Sequence, residues 1–171
     1  MPFTPFHLGP ASILALTLLS YVYLPALLLG SIAPDIEPMI ILYFNLPYPL
    51  HGFLHTLIGG TLLALLLTTL TFILRKPIEN IMSLLKLSQK QSFQRILAGA
   101  LIGIYSHILL DAYLYTDIQP FYPLDQNPLL NPSTFRYFEI YTICTISFII
   151  AVAMYGLYLW KKHNPPSQTK N

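Results

Sequence analysis

The chain has 171 residues, of which 54% are hydrophobic and only 9% are charged. Soluble domains carry about a quarter charged residues, so the composition predicts a membrane protein and leaves no room for a separate soluble module. The net charge of +2 is too small to indicate a nucleic-acid partner. We therefore expect a single membrane-embedded domain over residues 1–160 and a lipid bilayer as its surroundings.

The N-terminal segment is apolar and interrupted by proline. The lead-in around His7 is proline-rich, and Pro10 suits the first turn of a helix. The run 11–30 has no charged residue but contains Pro25. One kinked helix over this run would span roughly 30 Å. Alternatively, two short helices form a hairpin that dips into the bilayer and returns, which would place His7 near Asp35.

Asp35 and Glu37 are the only acidic residues among the first 78 positions. Both lie in a proline-bounded stretch, where either carboxylate would also suit a helix N-terminus. Asp35 has no partner at helical spacing. It is therefore a candidate for bridging metal ions or for accepting a proton.

Three apolar runs are long enough to cross a membrane, namely 56–74, 96–116 and 138–160. A helix of 19 residues, the shortest of them, would be about 28 Å long. The apolar run 39–44 is too short to span by itself. These runs predict an all-α integral membrane bundle with about three full transmembrane spans, to which the N-terminal segment adds either a kinked span or a helical hairpin.

The lysines and arginines predict the orientation. Five of the nine lie in the connection 75–95 and three in the tail 161–171, which we expect to be disordered. The positive-inside rule assigns both stretches to the cytoplasm, so we expect a multi-pass protein of the cell membrane with a cytoplasmic C-terminus. Asp35, His51 and the loop 117–137 then lie near the extracytoplasmic interface.

Two pairs of ionisable side chains recur at a spacing of four residues. His107 and Asp111 lie inside the run 96–116, where an ionisable pair is costly and indicates a functional site. His51 and His55 repeat the spacing, which places both members of a pair on one face of a helix. Counted along the spans, both pairs fall at a similar depth. Imidazole and carboxylate together suit zinc or a similar divalent ion.

Each group also has a structural interpretation. His107 and Asp111 could form a hydrogen-bonded pair between helices. His51 and His55 could face interfacial water. Asp117 is either a solvated loop acid or an outer-shell group. Three tyrosines suit an aromatic belt at the interface better than catalysis, namely Tyr113, Tyr115 and Tyr122.

Taken together, the motifs resemble the YdjM-like, LexA-regulated family of membrane-bound metal-dependent hydrolases. The resemblance runs from His7 to about Pro123. It rests on His7, Gly-Ser-x-x-Pro-Asp-x-Glu at 30–37, His-Gly-x-x-His-Thr at 51–56, His-x-x-Leu-Asp at 107–111 and Pro-Phe-x-Pro at 120–123. That family is in turn similar to zinc-dependent phospholipase C and the single-strand-specific zinc nucleases, which are helical phosphodiesterases.

The resemblance implies a set of metal ligands and the hairpin. The ligands would be His7, Asp35, His51, His55, His107 and Asp111, holding one to three divalent ions, with zinc the expected metal. A single kinked span would leave His7 across the membrane from the others. Two family features are missing, because Gly52 stands where an arginine is frequent and Pro38 where a histidine is frequent. The pattern therefore lacks a cationic phosphate clamp and one further ligand.

The expected function is a membrane-bound hydrolase that uses a metal-activated water on a phosphoester, with a lipid head group among the candidate substrates. Asp35 is the predicted catalytic residue. The alternative is a metal-ion or proton transporter or channel in which His107 and Asp111 form an intramembrane relay. A path for an ion or proton across the membrane would need polar residues toward the cytoplasmic end of the spans. In the runs 57–74 and 96–104, the only residues there that are not large and apolar are threonine, glycine and alanine.

Overall fold

The computed structural model describes residues 4–164, and every regular element within them is a helix. The expected all-α fold is therefore confirmed. The α-helices are α1 (Leu8–Thr17), α2 (Leu24–Gly30), α3 (Ile36–Tyr43), α4 (Leu57–Ile73), α5 (Arg75–Leu84), α6 (Phe93–Leu114) and α7 (Arg136–His163). Short 3-10 turns cover Thr4–His7, Ala33–Asp35 and Phe53–His55.

Helices α1 and α2 form the hairpin that was one of the two structures predicted for the run 11–30. Pro25 lies in the first turn of α2, where a missing N–H costs no helical hydrogen bond. At the hairpin tip, the N–H of Tyr23 donates to the carbonyl of Arg95 (2.9 Å). The side chains of Arg95 (2.6 Å) and Gln89 (2.7 Å) both donate to the carbonyl of Leu19. The hairpin therefore extends the full distance to the segment 75–95.

The molecule has two chemically different ends. One end carries the hairpin tip, the cationic segment 75–95 and the last turn of α7, and we call it the basic end. The opposite end carries His7, the C-terminal part of α6 and the start of α4. Between the two lies an apolar core of buried side chains from α2, α4 and α6, extended by Tyr23. This core comprises Tyr23, Ala26, Ala64, Ile96, Ala100, Ile104 and Ile108.

Glycines bring α2 and α6 into backbone contact. A Cβ atom at Gly103 would collide with the carbonyl oxygen of Leu27, and one at Gly99 would lie 2.7 Å from the carbonyl oxygen of Tyr23. Gly30 faces the backbone of α6 in the same way. Small residues allow membrane helices to approach closely enough for dense packing. This packing fixes the C-terminal end of α2 against α6.

By length and composition, the helices able to cross a membrane include α6, α7 and the stretch Leu24–Tyr43. Helices α6 and α7 correspond to the predicted runs 96–116 and 138–160. Helix α4 has 17 residues and passes the same test only together with α5, from which it is bent by 76°. The stretch Leu24–Tyr43 differs from the prediction, because α3 continues α2 through a 3-10 turn and the two together reach 20 residues.

Helix α7 extends into the predicted tail. Lys161, Lys162 and His163 form its last turn, whereas the sequence predicted disorder over 161–171. Pro165 disfavours a helical conformation at the residue before it, and α7 accordingly ends at His163. The rest of that predicted tail, residues 165–171, lies outside the described residues.

A substitution of Gly103 by alanine tests the close packing of α2 on α6. We expect Gly103→Ala to lower the free energy of unfolding by about 1–3 kcal/mol, because the new methyl group would overlap the carbonyl of Leu27. Gly156→Ala is the matched control, since a Cβ there meets no atom within 4 Å. Thermal unfolding in detergent measures both variants, and equal melting temperatures would contradict the packing.

Candidate metal centre

The six side chains that the sequence predicted as ligands lie together at the end of the molecule opposite the basic end. They come from three 3-10 turns, the loop before α4 and the C-terminal half of α6. None is more than 3% exposed. The six are His7, Asp35, His51, His55, His107 and Asp111.

Four of them form the middle of the cluster. Asp35, His55, His107 and Asp111 each offer one ligand atom, and these atoms lie within 4.8 Å of one another. Nε2 of His107 is 3.3 Å from Oδ2 of Asp111 and 3.6 Å from Oδ1 of Asp35. Nε2 of His55 is 3.9 Å from Oδ2 of Asp111. Two imidazole nitrogens and two carboxylate oxygens can hold a metal ion.

The two remaining histidines extend this group. Nε2 of His7 lies 3.3 Å from Oδ1 of Asp111, and its ring stacks on His107 with the ring centroids 4.1 Å apart. The ring of His51 lies 4.8 Å from that of His55, edge to face. The fold therefore gathers the other five side chains around Asp111, four of them from segments outside α6.

Acidic side chains orient two of the imidazoles from outside. Nδ1 of His55 donates to Oε2 of Glu37 (3.1 Å), and Nδ1 of His51 donates to the carboxylate of Asp117 (3.0 Å). Metal-bound histidines are commonly held in this way, because the outer hydrogen bond fixes the tautomer and aims Nε2 at the ion. Glu37 also accepts from the backbone N–H groups of the loop before α4, which fixes that loop against α3.

A backbone carbonyl orients the third imidazole. Nδ1 of His107 donates to the carbonyl oxygen of Ser31 (2.8 Å), one residue beyond the end of α2. The contact depends on the close approach of α2 and α6. Nε2 of His107 is thereby turned toward Asp35 and Asp111.

The atoms that face the middle of the cluster are buried without hydrogen bonds. Leaving buried polar atoms unpaired costs free energy, and six such residues in one place call for a shared partner. A cation in the middle would satisfy them. Within residues 4–164, the atoms without a hydrogen-bond partner include Nε2 of His7, His51, His55 and His107, Oδ2 of Asp35 and both carboxylate oxygens of Asp111.

Burial also sets the protonation state of His55. Desolvation lowers the pKa of this imidazole below its ordinary value, and the hydrogen bond that it donates to Glu37 opposes the shift without cancelling it. A lowered pKa keeps His55 neutral at neutral pH, which is the form that binds a metal.

The prediction that a spacing of four residues places both side chains on one helical face is confirmed for His107 and Asp111 on α6. It was wrong for His51 and His55. His51 lies in a bend and His55 ends a 3-10 turn, so this pair does not share a helical face. Helix α4 begins only after Thr56, whose hydroxyl accepts the N–H of Gly59 (2.9 Å) as an N-cap.

The structure also assigns contacts that the sequence left open or did not indicate. Glu37 and Asp117 had structural alternatives, and each carboxylate contacts a histidine of the cluster. Asp35 makes no side-chain capping bond at the start of α3. The carbonyl of Ser31 could not be found from sequence, because every residue carries the same acceptor.

An open cavity leads toward the cluster from outside. It has a volume of about 490 Å³ and lies between the loop before α4 and the loop after α6. His51, Asp117 and Tyr122 are among the residues that line it. A small substrate could therefore reach the side of the cluster that His51 occupies.

A model of the YdjM inner membrane protein family matches residues 2–166. The match includes all six clustered side chains together with Glu37 and Asp117. Among curated proteins and among solved structures, no significant match was found.

Removing the charge of Glu37 tests its orienting role. We expect Glu37→Gln to weaken metal binding about 10- to 100-fold, because His55 would lose its carboxylate partner. Asp125→Asn, which neutralises an exposed loop acid, is the control and should leave the affinity unchanged. Competition with a metal-sensitive chelator measures both, and equal affinities would show that Glu37 does not support the centre.

Proposed function

Because the chain belongs to the YdjM inner membrane protein family, we propose that it is a membrane-bound, metal-dependent hydrolase that acts on a phosphoester. One observation carries this proposal. Three imidazoles are each held at Nδ1 by an outer acceptor, and their unpaired Nε2 atoms lie in one buried cluster with two aspartates. Such an arrangement is expensive without a cation and is suited to binding one.

The donor set fits zinc. Imidazole nitrogen and carboxylate oxygen are typical zinc ligands, and hard ions such as magnesium prefer oxygen alone. Asp35, His55, His107 and Asp111 would hold one ion. His7 and His51 flank this group and would complete it or hold a further ion, so we propose one to three ions in all.

A bound zinc ion would supply an activated water and would offset negative charge on a phosphoryl group. Asp35 is the residue that we propose as the proton acceptor. Its Oδ1 faces His107, while its Oδ2 is buried and has no hydrogen-bond partner among the described residues. A carboxylate oxygen placed in this way is free to accept a proton from an attacking water.

The surroundings of the cluster favour a substrate at the bilayer surface. Helix α3, which follows Asp35 directly, exposes large apolar side chains that would contact lipid, including Met39 (61%) and Tyr43 (83%). The cavity beside His51 opens at the same end of the molecule. A lipid head group could therefore enter while its acyl chains remain in the membrane.

The apolar core argues against transport through the bundle. Ile104 and Ile108 are fully buried directly below the cluster, and the core continues to Ile96 near the basic end. An ion would have to cross this region without a charged partner, because the buried polar groups described there are hydroxyls such as those of Thr68 and Thr71. We therefore prefer the hydrolase to the transporter or channel that the sequence left as the alternative.

We further propose that the metal centre lies near the extracytoplasmic interface. The basic end would then face the cytoplasm, in keeping with the positive-inside rule. Asp35 lies eight residues before the end of α3, which is about 12 Å along a helix. The centre would thus lie within the outer part of the bilayer.

Metal analysis of purified protein tests the centre directly. We expect bound zinc in the wild type and its loss in His107→Ala, because this substitution removes a central nitrogen. His163→Ala is the matched control, since His163 is exposed at the basic end. Elemental analysis by mass spectrometry gives the zinc content, and equal contents in the two variants would refute the site.

Hydrolysis of a phosphodiester tests the enzymatic proposal. With saturating zinc, we expect Asp35→Asn to cleave bis(4-nitrophenyl) phosphate at least about 100-fold more slowly than the wild type, the range that a general base contributes. The variant must retain bound zinc for the comparison to report on proton transfer. Absence of cleavage by zinc-loaded wild type toward this ester and toward phospholipid would count against the hydrolase.

A further inference from the structure

A second site lies at the basic end, away from the metal centre. An apolar groove of about 270 Å³ runs between the hairpin of α1 and α2 on one side and α7 on the other. Leu85 and Leu87, which follow α5, close its end. Ala15, Leu28 and Val152 are among the other residues that line it. In a membrane, such a groove is of the right chemistry for a hydrocarbon chain.

Cationic and hydroxyl groups stand at the closed end of this groove. Lys86 lies between Leu85 and Leu87, and its carbonyl accepts hydrogen bonds from Nζ of Lys162 (2.8 Å) and from the hydroxyl of Tyr158 (3.1 Å). The hydroxyl of Tyr155, which lines the groove, donates to the carbonyl of Leu85 (2.7 Å). An ammonium group has three donors, so Lys162 keeps two for another partner.

The backbone at Lys86 is unusual for a lysine. Its φ angle is +58°, in the left-handed region that favours glycine. The N–H of Leu87 donates to the carbonyl of Met82 (2.9 Å), and the N–H of Lys86 donates to the carbonyl of Ser83 (3.0 Å). These two hydrogen bonds form a Schellman motif at the C-terminus of α5. Glycine is the usual residue at this position. The chain instead places an exposed cation there, beside the groove.

No acidic side chain in the neighbouring sequence competes for these lysines. The segments 80–110 and 140–164 contain neither aspartate nor glutamate. The acid just before them, Glu79, accepts a hydrogen bond from the amide of Gln91 (2.6 Å). The closed end of the groove is therefore positively charged and complements an anion.

We propose that this groove binds an anionic phospholipid of the surrounding bilayer. One acyl chain lies between the hairpin and α7, and the phosphate contacts Lys86 and Lys162. Basic pockets between membrane helices bind acidic lipid head groups. This groove combines an apolar surface for an acyl chain with cations at its interfacial end for the phosphate. The lipid would hold the hairpin against α7 from the end opposite the metal centre.

The first test measures lipid retention. Protein is taken from nanodiscs that contain equal amounts of dioleoyl phosphatidylglycerol and dioleoyl phosphatidylcholine, and native mass spectrometry counts the bound lipids. We expect one phosphatidylglycerol to be retained in preference to phosphatidylcholine. Lys162→Gln should lower its affinity roughly fivefold, the contribution of one cation near a lipid surface. Lys76→Gln, at the far end of α5, is the control for charge and should change nothing.

A larger side chain in the groove distinguishes lipid binding in the groove from general electrostatic attraction to the basic surface. Val152 is 70% exposed and lines the groove, so Val152→Phe should displace the lipid without disturbing the core. Leu157→Phe, at another exposed position of α7, is the control for size. Retention of phosphatidylglycerol by Val152→Phe at the wild-type level would overturn the proposal, as would equal losses in Lys76→Gln and Lys162→Gln.

Lys86→Gly tests the site with a substitution that suits the local backbone. Glycine suits the left-handed backbone, so the melting temperature in lipid-free detergent should equal or exceed that of the wild type. The increase in melting temperature on adding phosphatidylglycerol should be smaller in the variant, because one phosphate contact is missing. An undiminished increase would show that Lys86 does not bind the lipid.

Discussion

The structure depends on a buried group of ligand atoms that find no hydrogen-bond partner in the described part of the chain. Four imidazoles and two aspartates lie in an apolar bundle, with exposures of at most 3%. Water solvates such groups well, so their transfer into the protein is unfavourable unless something replaces the lost contacts. The outer hydrogen bonds to Ser31, Glu37 and Asp117 satisfy one side of three rings and turn the other side inward. A cation is the partner that suits the imidazole nitrogens and carboxylate oxygens that face one another in the middle of the cluster.

Close helix packing is what makes these outer bonds available. Helices α2 and α6 approach through Gly30, Gly99 and Gly103, and the carbonyl of Ser31 therefore comes within 2.8 Å of His107. A larger residue at any of these glycines would separate the two backbones. The loop before α4 is held in a comparable way, since Glu37 binds both its backbone and His55. The geometry of the centre thus originates in backbone contacts some distance from the ligand atoms.

The two ends of the molecule carry different kinds of side chain. The histidine and aspartate cluster occupies one end, while seven of the nine lysines and arginines belong to the described segments 75–95 and 161–162. Among the described residues, the core cluster between them contains no charged side chain. This separation is in keeping with the proposed hydrolase, whose centre would lie at one face of the membrane and whose cations would lie at the other. It also leaves the groove near Lys86 free to bind lipid independently of the metal centre.

The sequence by itself determined the membrane class and the helical fold, because hydropathy and charge are local properties, and its resemblance to a family implied the six side chains that cluster. It indicated the helical face shared by His107 and Asp111 for the same reason. Only the tertiary structure decided that residues 8–30 form a hairpin, that His51 and His55 lie outside an α-helix, and that Glu37 orients the imidazole of His55. These outcomes depend on which segments meet in space. A sequence does not distinguish the backbone carbonyl of Ser31 from any other carbonyl. This carbonyl accepts the hydrogen bond of His107 only because α6 packs against the end of α2.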